Sequence, residues 1–123
     1  MKKYLYFTNP GNSGDRDLIM IPADHVLGVS LPSSTNQLDN LTVTSIDYRP
    51  HTGAIKPGTS IDAEEDFVNV IHAVGDRQRV VKSLVSLINS DKTNSPFIVA
   101  ADEQNGEYAI DGVTGVSSIN HTV

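Results

Sequence analysis

The segment from Asp76 to Asn89 places the strongest constraint on the fold, because it is the only part of the chain with sustained helical periodicity. At about 100° per residue, its apolar side chains fall within an arc of roughly 160°. These side chains are Val80, Val81, Leu84, Val85, Leu87 and Ile88. The spacing predicts one amphipathic helix over 76–89, with Asp76 as its candidate N-cap. Such a helix must bury its apolar side, and the rest of the chain offers only a sheet to receive it.

The remainder of the chain reads as short strands separated by turns. Strands are predicted at 3–8, 18–21, 25–31, 41–48, 67–74, 96–101, 108–110 and 113–119. The turn formers at 11–14 predict a hairpin loop between the first two strands. Asn105-Gly106 is the strongest hairpin signal in the chain. The pattern D-x-V-x-G-V-S occurs at 24–30 and again at 111–117, and it indicates two strands that each follow a turn.

These elements predict an α+β domain, in which a mostly antiparallel sheet curls into a half-open barrel or sandwich with the helix packed against it. A chain of 123 residues fits a single domain, and no linker divides it. Residues 49–66 contain two prolines, two glycines and an acidic cluster, so they are predicted to form one long loop. The apolar side of the helix is expected to meet Phe67, Val70 or Ile71, together with Ile98 and the strand at 113–116.

Composition excludes several classes of protein. The chain has no cysteine, which removes disulfides, thiolate metal sites and cysteine nucleophiles. Nine basic and fifteen acidic residues give a formal charge of −6, so nucleic acid is not expected as the main partner. The apolar run near the N-terminus is too short for a signal peptide, and no stretch approaches 18 apolar residues. We therefore expect no membrane partner and a cytoplasmic or virion-associated location.

The chemistry-bearing residues form no recognised catalytic or metal-binding motif. The glycine loop at 11–14 lacks the lysine of a phosphate-binding loop, and the acidic cluster at 62–66 lacks the spacing of a calcium loop. No Gly-x-Ser-x-Gly sequence occurs. The histidines lack metal-ligand spacing and are expected to be scattered over the surface: His25, His51, His72 and His121. The sequence therefore predicts no enzyme activity, no cofactor and no metal.

Three basic residues lie near the start of the predicted helix: Arg77, Arg79 and Lys82. They could hold an anion, because the first N–H groups of a helix have no partner within the helix and point the same way. A solvated basic face is the other interpretation. The sequence predicts these three residues as the candidate anion-binding residues.

Several segments follow one another in a distinctive order. Residues 21–26 precede a strand pair, and the strand and helix of 74–88 are followed by 101–103 and a terminal strand at 113–116. This order resembles small uncharacterised proteins of marine phages and marine metagenomes, although the loop at 49–66 departs from their compact form. The resemblance implies a virion-associated or accessory role and transfers no catalytic residue.

A β-rich chain with usable sheet edges and no assembled catalytic motif favours a non-enzymatic function. We expect a self-associating structural or accessory protein, of phage type, that forms a homo-oligomer. The alternative is a small-molecule or anion-binding module that uses 49–66 and the start of the helix. An enzyme that combines His72 with a carboxylate of that loop is a third and less favoured hypothesis.

Overall fold

The computed structural model describes residues 3–10, 18–32, 37–48, 66–89 and 97–120. These residues form seven strands, two α-helices and a short 3-10 turn at Ala23–His25. In chain order the elements are β1 (Tyr4–Thr8), β2 (Leu18–Pro22), β3 (Val26–Ser30), α1 (Gln37–Thr42), β4 (Val43–Tyr48), β5 (Asp66–His72), α2 (Arg77–Asn89), β6 (Phe97–Asp102) and β7 (Val113–Asn120). The predicted loop at 49–66 and the glycine loop at 11–14 lie outside the described residues, except that Asp66 begins β5.

The strands form two sheets, which confirms the predicted α+β class. A three-stranded sheet has the order β2-β1-β6, with β1 antiparallel to β2 and parallel to β6. A four-stranded sheet has the order β3-β4-β5-β7 and is antiparallel throughout. The described strands do not close into a barrel. The two copies of D-x-V-x-G-V-S form β3 and β7, which are the two outer strands of the four-stranded sheet.

One hydrophobic core takes side chains from both sheets and from α2. Alternate residues of each strand enter it, because successive side chains of a strand point to opposite faces. The three-stranded sheet contributes Leu5, Phe7, Ile19, Ile21 and Ile98, and the four-stranded sheet contributes Ile46, Tyr48, Val68, Val70, Val116 and Ile119. Burying an aliphatic or aromatic side chain of this kind contributes about 1.5–3 kcal/mol to folding.

The helix α2 confirms the predicted segment but buries a narrower stripe than its sequence suggests. The carbonyl of Asp76 accepts a hydrogen bond from the N–H of Val80 at 3.0 Å, which places Asp76 just before the first helical residue. Val80 and Leu84 are buried, whereas Val85 is half exposed. The helix shares the core with four of the residues that were expected to contact it: Val70, Ile98, Val113 and Val116.

Of the three residues of β5 offered as alternatives, Val70 is the one that shares the core with α2, and the predicted start of β4 is wrong. Phe67 and Ile71 alternate with the buried residues of β5, so their side chains point to the other face of the sheet. Leu41 and Thr42 end α1 instead of beginning β4. The β-branched alternation that predicts a strand here is overridden by tertiary contacts to the end of α1, and Arg77 supplies these contacts.

The Asn105-Gly106 turn forms as predicted, but a full returning strand does not follow it. Residues 103–106 form the turn, and Gly106 has a φ of 69°, which favours glycine. Only one bridge closes it, between Asp102 and Glu107. The expected strand at 108–110 is replaced by single hydrogen bonds, in which the N–H groups of Ala109 and Ile110 donate to the carbonyl of Ala100 at 3.1 Å.

Candidate functional site

A groove of 590 Å³ runs along one side of α2 and contains two of the three predicted anion-binding residues. Polar side chains of the helix line it, and the turn before β7 closes it with Asp111. The polar lining residues are Gln78, Arg79, Lys82, Ser83, Ser86 and Asp111. The groove therefore carries both signs of charge.

Arg79 is engaged within the groove by carboxylates of the chain itself. Its guanidinium donates two hydrogen bonds to Asp111, from Nε at 2.9 Å and from a terminal nitrogen at 2.7 Å, and it lies 3.6 Å from Asp76. The hydrogen bond with Arg79 lowers the pKa of Asp111, and the same bond raises the pKa of Arg79. The backbone N–H of Asp111 donates to the Ser83 hydroxyl at 2.8 Å, which fixes the carboxylate beside the helix. The positive charge of Arg79 is therefore largely balanced by the carboxylates of Asp111 and Asp76.

Lys82 is the cation of the groove that remains available. Its side chain is exposed and makes no ion pair with the residues that the structure describes. Hydroxyl groups of Ser83 and Ser86 line the same groove. An anion could therefore bind Lys82 without competing with Asp111, whereas binding to Arg79 would compete with it.

Arg77 points away from Arg79 and Lys82 and is used inside the fold. Its Nε donates to the hydroxyl of Thr44 at 2.9 Å, and a terminal nitrogen donates to the carbonyls of Val43, at 2.8 Å, and of Asn40. These carbonyls lie at the end of α1, where a cation is favourable. The structure thus brings Arg79 and Lys82 together and separates Arg77 from them.

His72 is buried, so the expectation of a surface histidine is wrong for this residue. Its Nδ1 lies 2.9 Å from the carbonyl of Ala73, and its Nε2 lies 2.8 Å from the hydroxyl of Thr44. A carbonyl can only accept, so in the neutral ring Nδ1 carries the hydrogen and Nε2 accepts from Thr44. The Thr44 oxygen in turn accepts from Arg77, so the three side chains form one satisfied chain of hydrogen bonds. Both ring nitrogens are therefore engaged by the fold.

The outward side of the three-stranded sheet, which sequence reasoning did not identify as a site, is apolar. We call it the apolar face and define it by Tyr4, Tyr6, Leu18, Met20, Phe97 and Val99. Pairing across the sheet places Met20 and Val99 on either side of Tyr6, and Phe97 beside Tyr4. The rings of Tyr6 and Phe97 lie 5.3 Å apart between centroids. Leu18 is 52% exposed, and Met20 and Phe97 are each 45% exposed.

The helix α2 lies on the opposite side of this sheet. Lys3 is on the same side of the strand as Leu5 and Phe7, which are buried in the core. Its ammonium donates to the last carbonyls of α2, those of Leu87 at 3.3 Å and Ile88 at 3.2 Å. The helix therefore covers the core side and leaves the apolar face uncovered among the described elements.

The outward side of the four-stranded sheet has a polar row across its middle, with Phe67 and Ile71 on either side of it along β5. Ser45, Asn69 and Ser118 are cross-strand neighbours there and form a polar ladder. The Ser45 hydroxyl donates to the Asn69 amide oxygen, and the Asn69 amide nitrogen donates to the Ser118 hydroxyl at 3.1 Å. Outward faces of packed sheets are normally polar in this way. The apolar face has no such polar row among its six residues, and exposed apolar patches of this kind mark interaction surfaces.

One signal in the sequence points to the apolar face. Residues 18–21 and 97–101 are continuous apolar runs without polar alternation, which is typical of strands covered on both sides. In the structure only one side of each is covered by the core. Only the strand pairing shows that their uncovered sides flank β1 on the same side of one sheet.

Metal and membrane sites find no support in the part of the chain that the structure describes. No group of three or more histidine, aspartate or glutamate side chains there could hold a metal ion. Neither described α-helix has the length and apolar character that crossing a bilayer requires.

Comparison with known proteins does not assign the chain to a family. No family model matches it, and neither the curated proteins nor the solved structures gave a match. Its function must therefore be inferred from its own surfaces.

Proposed function

We propose that this chain is a non-enzymatic, self-associating structural or accessory protein whose copies meet through the apolar face. The observation that carries the proposal is that Leu18 and Met20 on β2 and Phe97 on β6 are exposed on the same side of one sheet, with β1 between them. Removing such side chains from water is favourable by about 25 cal/mol per Å² of apolar surface. The resemblance to proteins of marine phages supports a virion-associated or accessory role for the assembly.

Charge supports a second copy of the same chain as the partner on this face. The protein has a formal charge of −6, so two copies repel each other over most of their surfaces. None of the six residues of the apolar face is charged. Two copies can therefore approach here without placing like charges opposite one another, in a contact that uses the same patch on both sides.

The size of the face limits the strength of this contact. Three strands about 4.8 Å apart, with five, five and six residues that rise about 3.3 Å each, present roughly 250 Å² of sheet. A stable dimer usually buries about 800 Å² on each partner. The apolar face alone therefore supports association that is weak and depends on protein concentration.

Sedimentation velocity over a series of protein concentrations tests the proposal. The unmodified protein should show a weight-average mass that rises with concentration. The double substitution Met20→Lys with Phe97→Lys should lower that mass, because it places charge on both copies at the contact. Val85→Lys is the matched control, since it also converts a half-exposed apolar residue but lies on α2. A protein that stays monomeric at its highest attainable concentration would overturn self-association.

A second candidate function, binding of an anion or an anionic small molecule, is favoured by the position of Lys82. This exposed cation lines the groove with two serine hydroxyls. Binding to the native state raises the unfolding midpoint. We expect inorganic phosphate to raise the midpoint of the unmodified protein and not that of Lys82→Ala. An equal phosphate effect on both proteins would exclude the groove.

A further inference from the structure

The turn after β6 contains the only Asn-Gly pair of the chain, Asn105-Gly106. Both residues are exposed, and no atom lies within 4 Å of the position that a Cβ of Gly106 would take. The N–H of Gly106 donates no hydrogen bond to any residue that the structure describes. The nitrogen of Gly106 therefore has neither a side chain nor a hydrogen bond that would hinder its attack on the neighbouring amide of Asn105.

The buried carboxylate of Asp102 restrains that amide. The Asn105 amide nitrogen donates to one carboxylate oxygen at 2.8 Å, and the Asn105 backbone N–H donates to the other at 3.2 Å. Asp102 is only 4% exposed, and the Thr8 hydroxyl also donates to it at 2.6 Å. Hydrogen bonds to an ionised acceptor are the stronger kind. The backbone and the side chain of Asn105 are therefore both fixed by one anchored group.

We propose that Asn105 is a site of spontaneous covalent modification, and that Asp102 limits the rate of this modification in the folded protein. When the turn opens, the nitrogen of Gly106 loses its proton and forms a bond to Cγ of Asn105. The bond from Cγ to the amide nitrogen breaks, and that nitrogen takes up a proton and leaves as ammonia. The product is a cyclic succinimide, and no oxidation or reduction occurs.

Water then opens the succinimide at either of its carbonyl groups. Attack at the former side-chain carbonyl breaks the bond from Cγ to the nitrogen of Gly106 and leaves aspartate at position 105. Attack at the backbone carbonyl breaks the original peptide bond and leaves isoaspartate. In isoaspartate the chain runs through the former side chain, so the backbone gains one atom.

Both products are unfavourable beside Asp102. The amide that donated to this carboxylate is replaced by a second carboxylate, which cannot donate and carries the same charge. Isoaspartate also lengthens the turn, which is closed by the N–H of Asp102 to the carbonyl of Glu107 at 2.7 Å and by the N–H of Glu107 to the carbonyl of Asp102 at 3.0 Å. We therefore expect modified copies to have a weakened turn and a less stable fold.

Mass spectrometry of the peptide that contains the turn measures the modification during incubation at mildly alkaline pH. In the protein without substitutions, it should accumulate at Asn105 and not at Asn69, where the following residue is valine. Asp102→Ala should speed it about tenfold, because hydrogen bonds to a charged acceptor typically contribute such a factor. Leu84→Ala is the matched control, since it weakens the core but removes no hydrogen bond of the turn, and it should change the rate much less.

A second measurement does not depend on whether Asp102→Ala folds. The protein without substitutions should be modified at Asn105 more slowly in buffer than in urea at the same pH, because unfolding removes the contacts with Asp102. Asn69 in the same two samples is the internal reference.

The effect of the product can be measured with Asn105→Asp. This variant should have a lower urea midpoint than the protein without substitutions at neutral pH. Added to Asp102→Asn, the same change should lower the midpoint less, because only one carboxylate is then present in the turn.

Each part of the inference has an outcome that would overturn it. Equal modification at Asn105 and Asn69 would exclude Asn105 as the site. Equal rates in buffer and in urea, or equal rates for Asp102→Ala and Leu84→Ala, would exclude control by Asp102. An Asn105→Asp variant as stable as the protein without substitutions would exclude the unfavourable contact with Asp102. These results are independent of whether the protein associates with itself.

Discussion

Arg77 connects three elements of the fold through one guanidinium group. It donates to Thr44 and Val43 at the start of β4 and to Asn40 in α1, and Thr44 continues the network to His72 in β5. The planar group satisfies several acceptors with fixed geometry, which an ammonium cannot reproduce. The residue that the sequence suggested for anion binding is thus used to hold the helices on the sheet.

We expect Arg77→Ala to lower the free energy of unfolding by about 1–3 kcal/mol, because buried acceptors lose their donors. Arg77→Lys should recover only part of the loss. Arg79→Ala is the matched control and should have a smaller effect, since its partner Asp111 is exposed. Urea denaturation measures all three variants. Equal losses for Arg77→Ala and Arg79→Ala would contradict the structural role of Arg77.

Asp102 makes stability depend on pH. Its buried carboxylate accepts from the Thr8 hydroxyl at 2.6 Å, and from the backbone and side-chain nitrogens of Asn105 at 3.2 and 2.8 Å. These hydrogen bonds, that of Thr8 above all, lower the pKa of Asp102, although burial opposes them. The folded protein therefore prefers the ionised carboxylate more than the unfolded chain does.

The stabilisation from Asp102 should be complete above the unfolded pKa of about 3.9 and should be lost as the pH falls through the lower folded pKa. At neutral pH, Asp102→Asn should be less stable than the unmodified protein. The difference should narrow as the pH falls below about 3.9, because the unfolded chain takes up the proton of this carboxylate before the folded protein does. Urea midpoints measured from pH 7 to pH 3 provide the test, and parallel profiles of the two proteins would contradict it.

At the scale of elements, α2 is held mainly by the few side chains that enter the core. Leu84→Ala should destabilise the protein by about 2–5 kcal/mol, because it removes buried methyl groups and leaves a cavity. Val85→Ala, one residue further along the helix, should change stability by no more than about 0.5 kcal/mol because its side chain is half exposed. Chemical denaturation of both variants gives the comparison, and similar losses would show that the helix buries its whole predicted stripe.

Local sequence patterns predicted the helix and the turn better than they predicted the tertiary contacts between elements. The helix at 77–89 and the turn at Asn105-Gly106 depend on spacing and glycine within a few residues, so the sequence contains them. The end of α1 and the burial of His72 depend on Arg77 and Thr44, which are distant along the chain. No periodicity encodes such contacts.

The candidate sites, too, could be predicted only where their residues are close together in the sequence. Clustering near a helix start singled out Arg79 and Lys82, and the groove does contain both. Clustering in the sequence could not reveal that Asp111, from the turn before β7, pairs with Arg79. The apolar face depends on the parallel pairing of β1 with β6, which joins opposite ends of the chain. Without that pairing, Tyr6 and Phe97 are only two apolar residues in separate strands.

At the scale of the whole molecule, the balance between apolar contact and net charge determines association. The apolar face lacks charge, whereas the chain carries a formal charge of −6. Salt screens repulsion beyond a Debye length of about 10 Å at 0.1 M. We expect self-association to strengthen as sodium chloride is raised from about 0.02 to 0.5 M, with sedimentation velocity as the measurement. Weakening by salt would point instead to a contact between opposite charges.

The parallel pairing of β1 with β6 also determines when the contact surface exists. Tyr4 cannot pair with Phe97 until the chain as far as β6 has left the ribosome, which adds about 5–20 residues per second. Closing so long a loop comes after the local hairpins have formed. The apolar face is therefore completed only after β6 has emerged, when β1 and β2 are already available to pair. A nascent chain that ends before β6 presents only the β1 and β2 part of this face, so assembly through the complete face is delayed until β6 has paired.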